Sequence, residues 1–453
     1  MTTRIFLAST LYGAATLAAA LDAGCFGPAG RRILLVCNTT ANPETTPSLD
    51  ELAGFARLRH RFDEVLSWNE TVSPAHPGGW SPRPDDVPLW ERHLRLLWNL
   101  GDDDVELAVE SIQVDPALAV CRIFTGAPVT VYADGLMSYG PTRNKLDPLV
   151  GTRIDRLLHL DLVPGLRPVL LTEFGVAPEV IPADAFVEVL AQLAGAAPEL
   201  PDLPDGPALL LGQYLAALGI LTAEEEEALH VRMLRGAVAL GHSRVVFKPH
   251  PSAPAHWSRA LEREAAELGA ELTVLDVPVL AEVLYQRARP ALVVGCFSTA
   301  LLTASTLYGL PVARTGTGML LERLTPYENS NRVPVTIVDA LLPDLADAAA
   351  VAGQEPGAGP AAPAAVAALA ELVRAVSFAM RPRICPGLRG DAERYLAAHP
   401  GPRTLRYFKR RRLTALGLPG GVPRQLAFIP RNKTLRRVAR RARALRRGAG
   451  RGA

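Results

Sequence analysis

Cysteine is scarce in this chain of 453 residues: five are present, Cys25, Cys37, Cys121, Cys296 and Cys385, odd in number and widely spaced. No CxxC pair occurs among them. Neither a zinc site nor a disulfide framework is suggested, no metal is expected, and a reducing cytoplasm suits the composition. Long apolar runs are missing too: no stretch reaches the roughly 20 uninterrupted apolar residues that a membrane span requires. Neither GxGxxG nor GxxxxGK[ST] occurs, which counts against dinucleotide oxidoreductases and P-loop enzymes. No internal repeat of solenoid period is present. Acidic residues, finally, are absent from 401–453.

That last stretch holds 17 of the 48 lysines and arginines, so a basic tail hangs on a body with 31 basic and 46 acidic residues. Within 435–447, Leu435, Val438, Ala439, Ala442 and Leu445 share one helical face, with arginines around the remainder. Such a helix rests on an anionic membrane surface, holds a polyanionic substrate, or is a disordered basic end. At the other terminus, Met1 to Ala20 imitates a secretion signal, with an early Arg4 and an Ala-rich run. Ser9, Thr10, Tyr12 and Gly13 interrupt it, and Ile33–Val36 follows as another strand. Ile5–Ala8 therefore reads as a first strand and Leu11–Ala23 as its crossover helix.

Strands and helices alternate through the first half. Ile5–Ala8, Ile33–Val36, Glu64–Leu66, Val105–Val109 and Val129–Tyr132 are the expected strands. Leu49–Arg61, Trp90–Leu100 and Asp115–Phe124 are expected helices between them, a pattern of βαβ units and a parallel sheet. Ala194–Pro207, rich in Ala, Pro, Asp and Gly, reads as a linker. A second alternation follows: strands Ala208–Leu211, Val245–Phe247, Leu272–Leu275 and Leu292–Val294, with helices at His256–Leu268 and Val279–Arg287 and a helix start at Thr222. The low-complexity segment Gly353–Ala365 reads as a flexible insertion. The expected architecture is α/β: two Rossmann-like domains facing a cleft, 1–204 and 205–385. Residues 386–453 add helices and the basic tail. This is the GT-B arrangement.

Three strand ends carry candidate chemistry. Arg244-Val245-Val246-Phe247 runs into Lys248-Pro249-His250-Pro251, where the prolines end the strand and hold one cation and one imidazole on a stiff turn. In an open α/β sheet the carboxyl ends of strands are where ligands bind. The dipeptides His76-Pro77 and His399-Pro400 lack that context, since the first lies in a Pro/Gly-rich loop and the second reads as a helix stop. Val129–Tyr132 runs into Ala133-Asp134-Gly135, where the glycine is expected to permit a tight turn. Asp134 there suits a general base, or is a turn aspartate bonded to its own backbone. Leu292–Phe297 ends in Ser298-Thr299 before a helix, a set of hydroxyls and free N–H groups fit for an anion, or a plain cap. Glu282, about 16 residues earlier, offers a carboxylate to ribose hydroxyls or is a solvated helix charge. Asp102-Asp103-Asp104 reads as a solvated loop rather than a metal site.

In that order and at those strand ends, Asp134-Gly135, His250-Pro251 and Ser298-Thr299 resemble the motifs of the bacterial α-2,8-polysialyltransferase family and related GT-B sialyltransferases. The resemblance spans roughly residues 1–385 and implies that 1–204 form the acceptor side and that 205–385 bind the nucleotide sugar. It implies transfer of sialic acid from CMP-sialic acid to a glycan hydroxyl, with inversion and no essential metal or cofactor, toward a capsule or other surface polysaccharide. Asp134 would be the base. His250, with Lys248 beside it on the Pro249 turn, would stabilise the departing phosphate, which Ser298 and Thr299 would hold. The partners implied are a nucleotide sugar and a glycan, not nucleic acid. A cytoplasmic location, peripheral to the inner membrane through the tail, fits this reading. One position departs from the family pattern: its first acid is Ala133 here, leaving one carboxylate in the motif. Alternatives are a GT-B transferase with another donor, such as CDP-glycerol, and a catalytically weak glycan-binding protein.

Overall fold

The computed structural model describes residues 1–197, 200, 201, 203–250, 258–275, 277–355, 357 and 361–422. The expected amphipathic helix at 435–447, Pro251, and parts of the expected linker and insertion lie outside these residues. Among these described residues twelve strands form two parallel sheets. The first contains β1 (Thr2–Ala8), β2 (Arg31–Val36), β3 (Glu64–Ser67), β4 (Asp104–Val109), β5 (Val129–Ala133), β6 (Ile154–Leu160) and β7 (Ala177–Ile181), in the order β3-β2-β1-β4-β5-β6-β7. The second contains β8 (Ala208–Leu211), β9 (Arg244–Lys248), β10 (Glu271–Val274), β11 (Leu292–Gly295) and β12 (Val312–Arg314), in the order β10-β9-β8-β11-β12. Each order reverses direction once, between β1 and β4 and between β8 and β11. Crevices at such switch points are where open α/β sheets take their ligands.

The strands are β-branched and leucine-rich because both faces are covered by helices. Ile5, Phe6, Ile33, Leu34, Val245, Val293 and Val294 are all essentially inaccessible. One continuous buried cluster runs from Phe6 in the first sheet through Val189 and Leu193 of helix Ala183–Gly195 to Leu210 and Val293 in the second. The lobes are also tied by hydrogen bonds. Thr306 donates from Oγ1 to the Leu162 carbonyl at 2.8 Å, and Arg287 donates to the Ala194 carbonyl at 2.7 Å.

Several expectations need correction. β6, β7 and helix Ala183–Gly195 were not expected. β6 pairs on both sides although Asp155 and Arg156 break its apolar run: at its start Asp155 is exposed, and Arg156 on the other face donates to the Cys25 carbonyl at 2.8 Å. The expected helix Leu49–Arg61 is one 3₁₀ turn, Leu49–Glu51, and one α turn, Ala56–Arg59. Gly54, at φ +93°, breaks the path between them. The expected insertion is tied to the fold at both ends, although none of its described residues is buried. Gln354 pairs through its amide with both backbone groups of Val312, at 3.2 and 2.9 Å, and Pro363 starts an 18-residue helix, Pro363–Met380. That helix is long and apolar enough to cross a membrane, yet 56% of it is buried inside the protein. Asp103 accepts a hydrogen bond from Thr3 Oγ1 at 2.6 Å, at the amino ends of β1 and β4 and so at the opposite end of the sheet from the strand exits that bind ligands.

Candidate active site

A cavity of about 380 Å³ lies between the carboxyl ends of the two sheets. Its wall brings together Asp134 from the first lobe with His250, Ser298 and Thr299 from the second. Lys248, Pro249 and Glu282 do not line it. Glu282 is 3% exposed, not solvated, and accepts a hydrogen bond from Thr303 Oγ1 at 2.7 Å. Burial raises its pKa, and the Lys248 charge works against that rise. Lys248 in turn is lowered by burial and held up by Glu282. Each charge therefore offsets part of what burial does to the other.

The turn that carries His250 is set by its neighbours. Gly212, at the exit of β8, donates its N–H to the Lys248 carbonyl at 2.8 Å. A Cβ on Gly212 would come within 2.9 Å of Pro249 Cα and 3.0 Å of His250 N, so only glycine admits this approach. Tyr214 stacks on the His250 imidazole, with centroids 3.9 Å apart and planes 20° from parallel. The loop bearing Tyr214 is pinned from below. Leu215 and Ala216 donate their N–H groups to the two oxygens of the fully buried Glu226, both at 2.8 Å, and Gln213 N–H donates to His230 Nε2 at 3.1 Å. Both acceptors sit on helix Ala223–Ala239, whose start is the expected one: Thr222 and Glu225 form a capping box. Burial, with Lys248 second, pushes the His250 pKa down to about 4, so the imidazole is neutral at neutral pH. An anion beside it would raise that value again.

Ser298 caps helix Thr299–Tyr308, accepting from Ala300 N–H at 3.2 Å. Thr299 reaches across the cleft: its Oγ1 accepts the Leu136 N–H at 3.4 Å. That contact revises the role of Gly135. Its backbone is extended, at φ −153° and ψ −176°, which any residue adopts. Glycine is needed because a Cβ would meet Thr299 Oγ1 at 2.9 Å. The motif glycine is a contact between the lobes rather than a turn.

Asp134 follows β5, and burial raises its pKa. A second carboxylate stands beside it. Glu110 follows β4, flanks the first switch point, lines the same cavity and is 7% exposed. Its Oε1 accepts the Ser9 N–H at 2.8 Å and the Ser9 hydroxyl, and its Oε2 lies 3.3 Å from Tyr132 Oη. The residue after it, Ser111, is held at φ +47°, a left-handed conformation that side chains disfavour. Burial and then the Asp134 charge push Glu110 up to about 7. Arg143 also lines the cavity; burial and the like charge of Arg381 lower its pKa, and no acid pairs with it among the described residues. The sequence reading missed Glu110, Tyr214 and Arg143. For Glu110 a signal was present, because Val105–Val109 runs into it as Val129–Ala133 runs into Asp134.

The model of the alpha-2,8-polysialyltransferase family matches residues 4–317 of this chain, a span that takes in strands of both sheets and Glu110, Asp134, Arg143, His250, Ser298 and Thr299. The chain belongs to that family. It is a sialyltransferase-like glycosyltransferase with two GT-B lobes. No curated protein matches it. Similar solved structures include the GT-B domain of a Photobacterium damselae sialyltransferase, at 12% identity and TM-score 0.37, covering 75% of this chain and 96% of that one. Acinetobacter baumannii MurG is similar at 11% identity and TM-score 0.40, covering 76% and 86%. A Rickettsia africae glycosyltransferase is similar at 12% identity and TM-score 0.38, covering 87% and 98%. These are loose likenesses.

Proposed function

We propose that this polysialyltransferase family member transfers sialic acid from CMP-sialic acid to a hydroxyl of a glycan, with inversion at the anomeric carbon. The observation that carries the reading is the single cavity in which Asp134 faces His250, Ser298 and Thr299 from opposite lobes. In the proposed step the Asp134 carboxylate takes the acceptor hydroxyl's proton as that oxygen bonds to the anomeric carbon. The bond from that carbon to the CMP phosphate breaks, and its electron pair leaves with the phosphate. The neutral His250 donates a ring N–H to the phosphate oxygens, oriented by the Tyr214 stack. The Ser298 and Thr299 hydroxyls and the N–H groups opening helix Thr299–Tyr308 take the remaining charge. Arg143 supplies a cation to substrates that are themselves anionic. Lys248 acts from below, as part of the Lys248–Glu282 pair.

The raised carboxylates suit this work, because a buried base with an elevated pKa accepts a proton more readily than an exposed aspartate. The donor is tested by a panel comparing CMP-sialic acid, CDP-glycerol and a UDP-sugar, each offered with a sialylated acceptor. Product formation from CMP-sialic acid alone is expected. Turnover confined to CDP-glycerol or the UDP-sugar would overturn the sialyl assignment. Nucleotide binding without turnover of any donor would favour a glycan-binding role.

A further inference from the structure

Asp134 leaves β5 with the apolar Ala133 before it, and the fold brings a second carboxylate, Glu110, to the same cavity from the neighbouring β4. The hydrogen bonds around Glu110 state which form it takes. Tyr132 has one O–H, and its best acceptor is the Leu7 carbonyl at 2.8 Å. Glu110 Oε2, at 3.3 Å, is the longer of the two acceptors within reach of that O–H, so with the proton on the shorter bond to Leu7 the Tyr132 oxygen turns a lone pair to Oε2. The nearby Gly13 N–H is committed as well, to Thr10 Oγ1 at 2.9 Å. Both Ser9 donors go to Oε1. An ionised Oε2 would thus face an oxygen lone pair and the Asp134 carboxylate. A protonated Oε2 instead donates to Tyr132 Oη, and every polar atom of the group is satisfied.

We propose that Glu110 is the site's second carboxylate, a positioning residue that holds a proton on Oε2 and keeps the Glu110–Asp134 pair at one negative charge. Two carboxylates sharing a site do not both ionise readily. Asp134 carries the charge and acts as base; Glu110 limits the negative potential in a cavity that must admit an anionic donor and an anionic acceptor. The titratable groups facing Glu110 are Asp134 and Tyr132 from β5 and Cys37 after β2, whose thiol is raised by burial and by Glu110 itself. None of these is a cation. Within the cavity the charged and titratable groups besides the pair are Arg143, the neutral His250 and the phenols of Tyr132 and Tyr214.

The sign of the pH effect follows. The folded value, about 7, lies above the ordinary 4.5, so the folded state holds this proton while the unfolded chain releases it. Stability falls as pH rises through that window, and above it the cavity gains a second negative charge.

The proposal concerns the site read above as binding CMP-sialic acid, so its test has one arm that needs no substrate. In infrared difference spectra of the protein alone, a protonated-carboxyl stretch should disappear as pH rises through about 7. It should be absent from Glu110→Gln and move to lower pH in Asp134→Asn. In the second arm, CMP-sialic acid, whose phosphodiester does not titrate here, should bind on the order of tenfold more weakly at pH 8.5 than at pH 6. Glu110→Gln should remove most of that loss, leaving only the part that His250 contributes when the bound anion raises its pKa. A wild-type spectrum without the band, or a band that survives Glu110→Gln, overturns the proposal. A band that behaves as expected beside a pH-independent wild-type affinity overturns the charge-limiting role. A Glu110→Gln chain that fails to fold also overturns it, because glutamine reproduces each hydrogen bond of the neutral acid. Absence of donor binding at every pH, with the band present, would instead count against the donor reading alone.

Discussion

The two lobes offer the cavity opposite chemistry by different means. On the first lobe two carboxylates stand at adjacent strand exits, sunk among Ser9, Tyr132 and the first turn of helix Leu11–Asp22, and burial raises both. On the second lobe the imidazole, hydroxyls and helix N–H groups ride on turns, and buried side chains below hold those turns: Glu226 and His230 under Tyr214, Glu282 beside Lys248. The acid side is tuned by its own burial. The leaving-group side is tuned by what supports it. Damage to the first should therefore appear as lost chemistry, and damage beneath the second as lost stability together with lost donor binding.

Asp134→Asn keeps the shape and removes the base, so kcat should fall by about 10³-fold with CMP binding retained. His250→Ala removes a donor to the developing phosphate charge and should lower kcat by on the order of 10²-fold. Steady-state kinetics with a sialylated acceptor measure both. Unaltered turnover in either variant would break the division between the lobes. Glu226→Ala strands the buried N–H groups of Leu215 and Ala216. It should cost about 3 kcal/mol of unfolding free energy and raise the donor KM by freeing Tyr214. Urea denaturation and donor titration read the two effects, and a loss of stability at constant KM would detach the Tyr214 loop from donor binding. The smallest effect is expected at the seam. Gly135→Ala drives a Cβ against Thr299 and should destabilise the closed lobes by roughly 1–2 kcal/mol. Thr299→Ala in the same chain should restore the melting temperature, a readout independent of any phosphate contact. No restoration would remove that contact as the reason for the glycine.

Much of this architecture is legible in the sequence because a buried parallel strand is a short β-branched run with no polar alternation. Ile5–Ala8, Ile33–Val36, Val245–Phe247 and Leu292–Val294 have that form. β6 and β7 do not: Asp155 and Arg156 open one, and Pro178 and Glu179 interrupt the other on the sheet's outer edge. Asp134, His250, Ser298 and Thr299 stand out because each follows a recognisable strand. Glu110 follows one equally well, but its importance depends on β4 lying beside β5, and strand order cannot be read along a chain. The same holds for Tyr214 on His250 and Thr299 on Gly135, contacts between residues that sequence separates by 36 and 164 positions. Lys248 shows the converse: its spacing from His250 suggests a phosphate ligand, and only the packing places Glu282 as its counter-charge.

The most direct test of a carboxylate lobe facing a leaving-group lobe is CMP release from CMP-sialic acid, measured with and without acceptor in wild type, Asp134→Asn and His250→Ala. If the roles are divided as described, Asp134→Asn loses transfer to the glycan far more than slow hydrolysis by water, whereas His250→Ala loses both in equal proportion. Equal loss of transfer and hydrolysis in Asp134→Asn, or hydrolysis untouched by His250→Ala, would contradict the account.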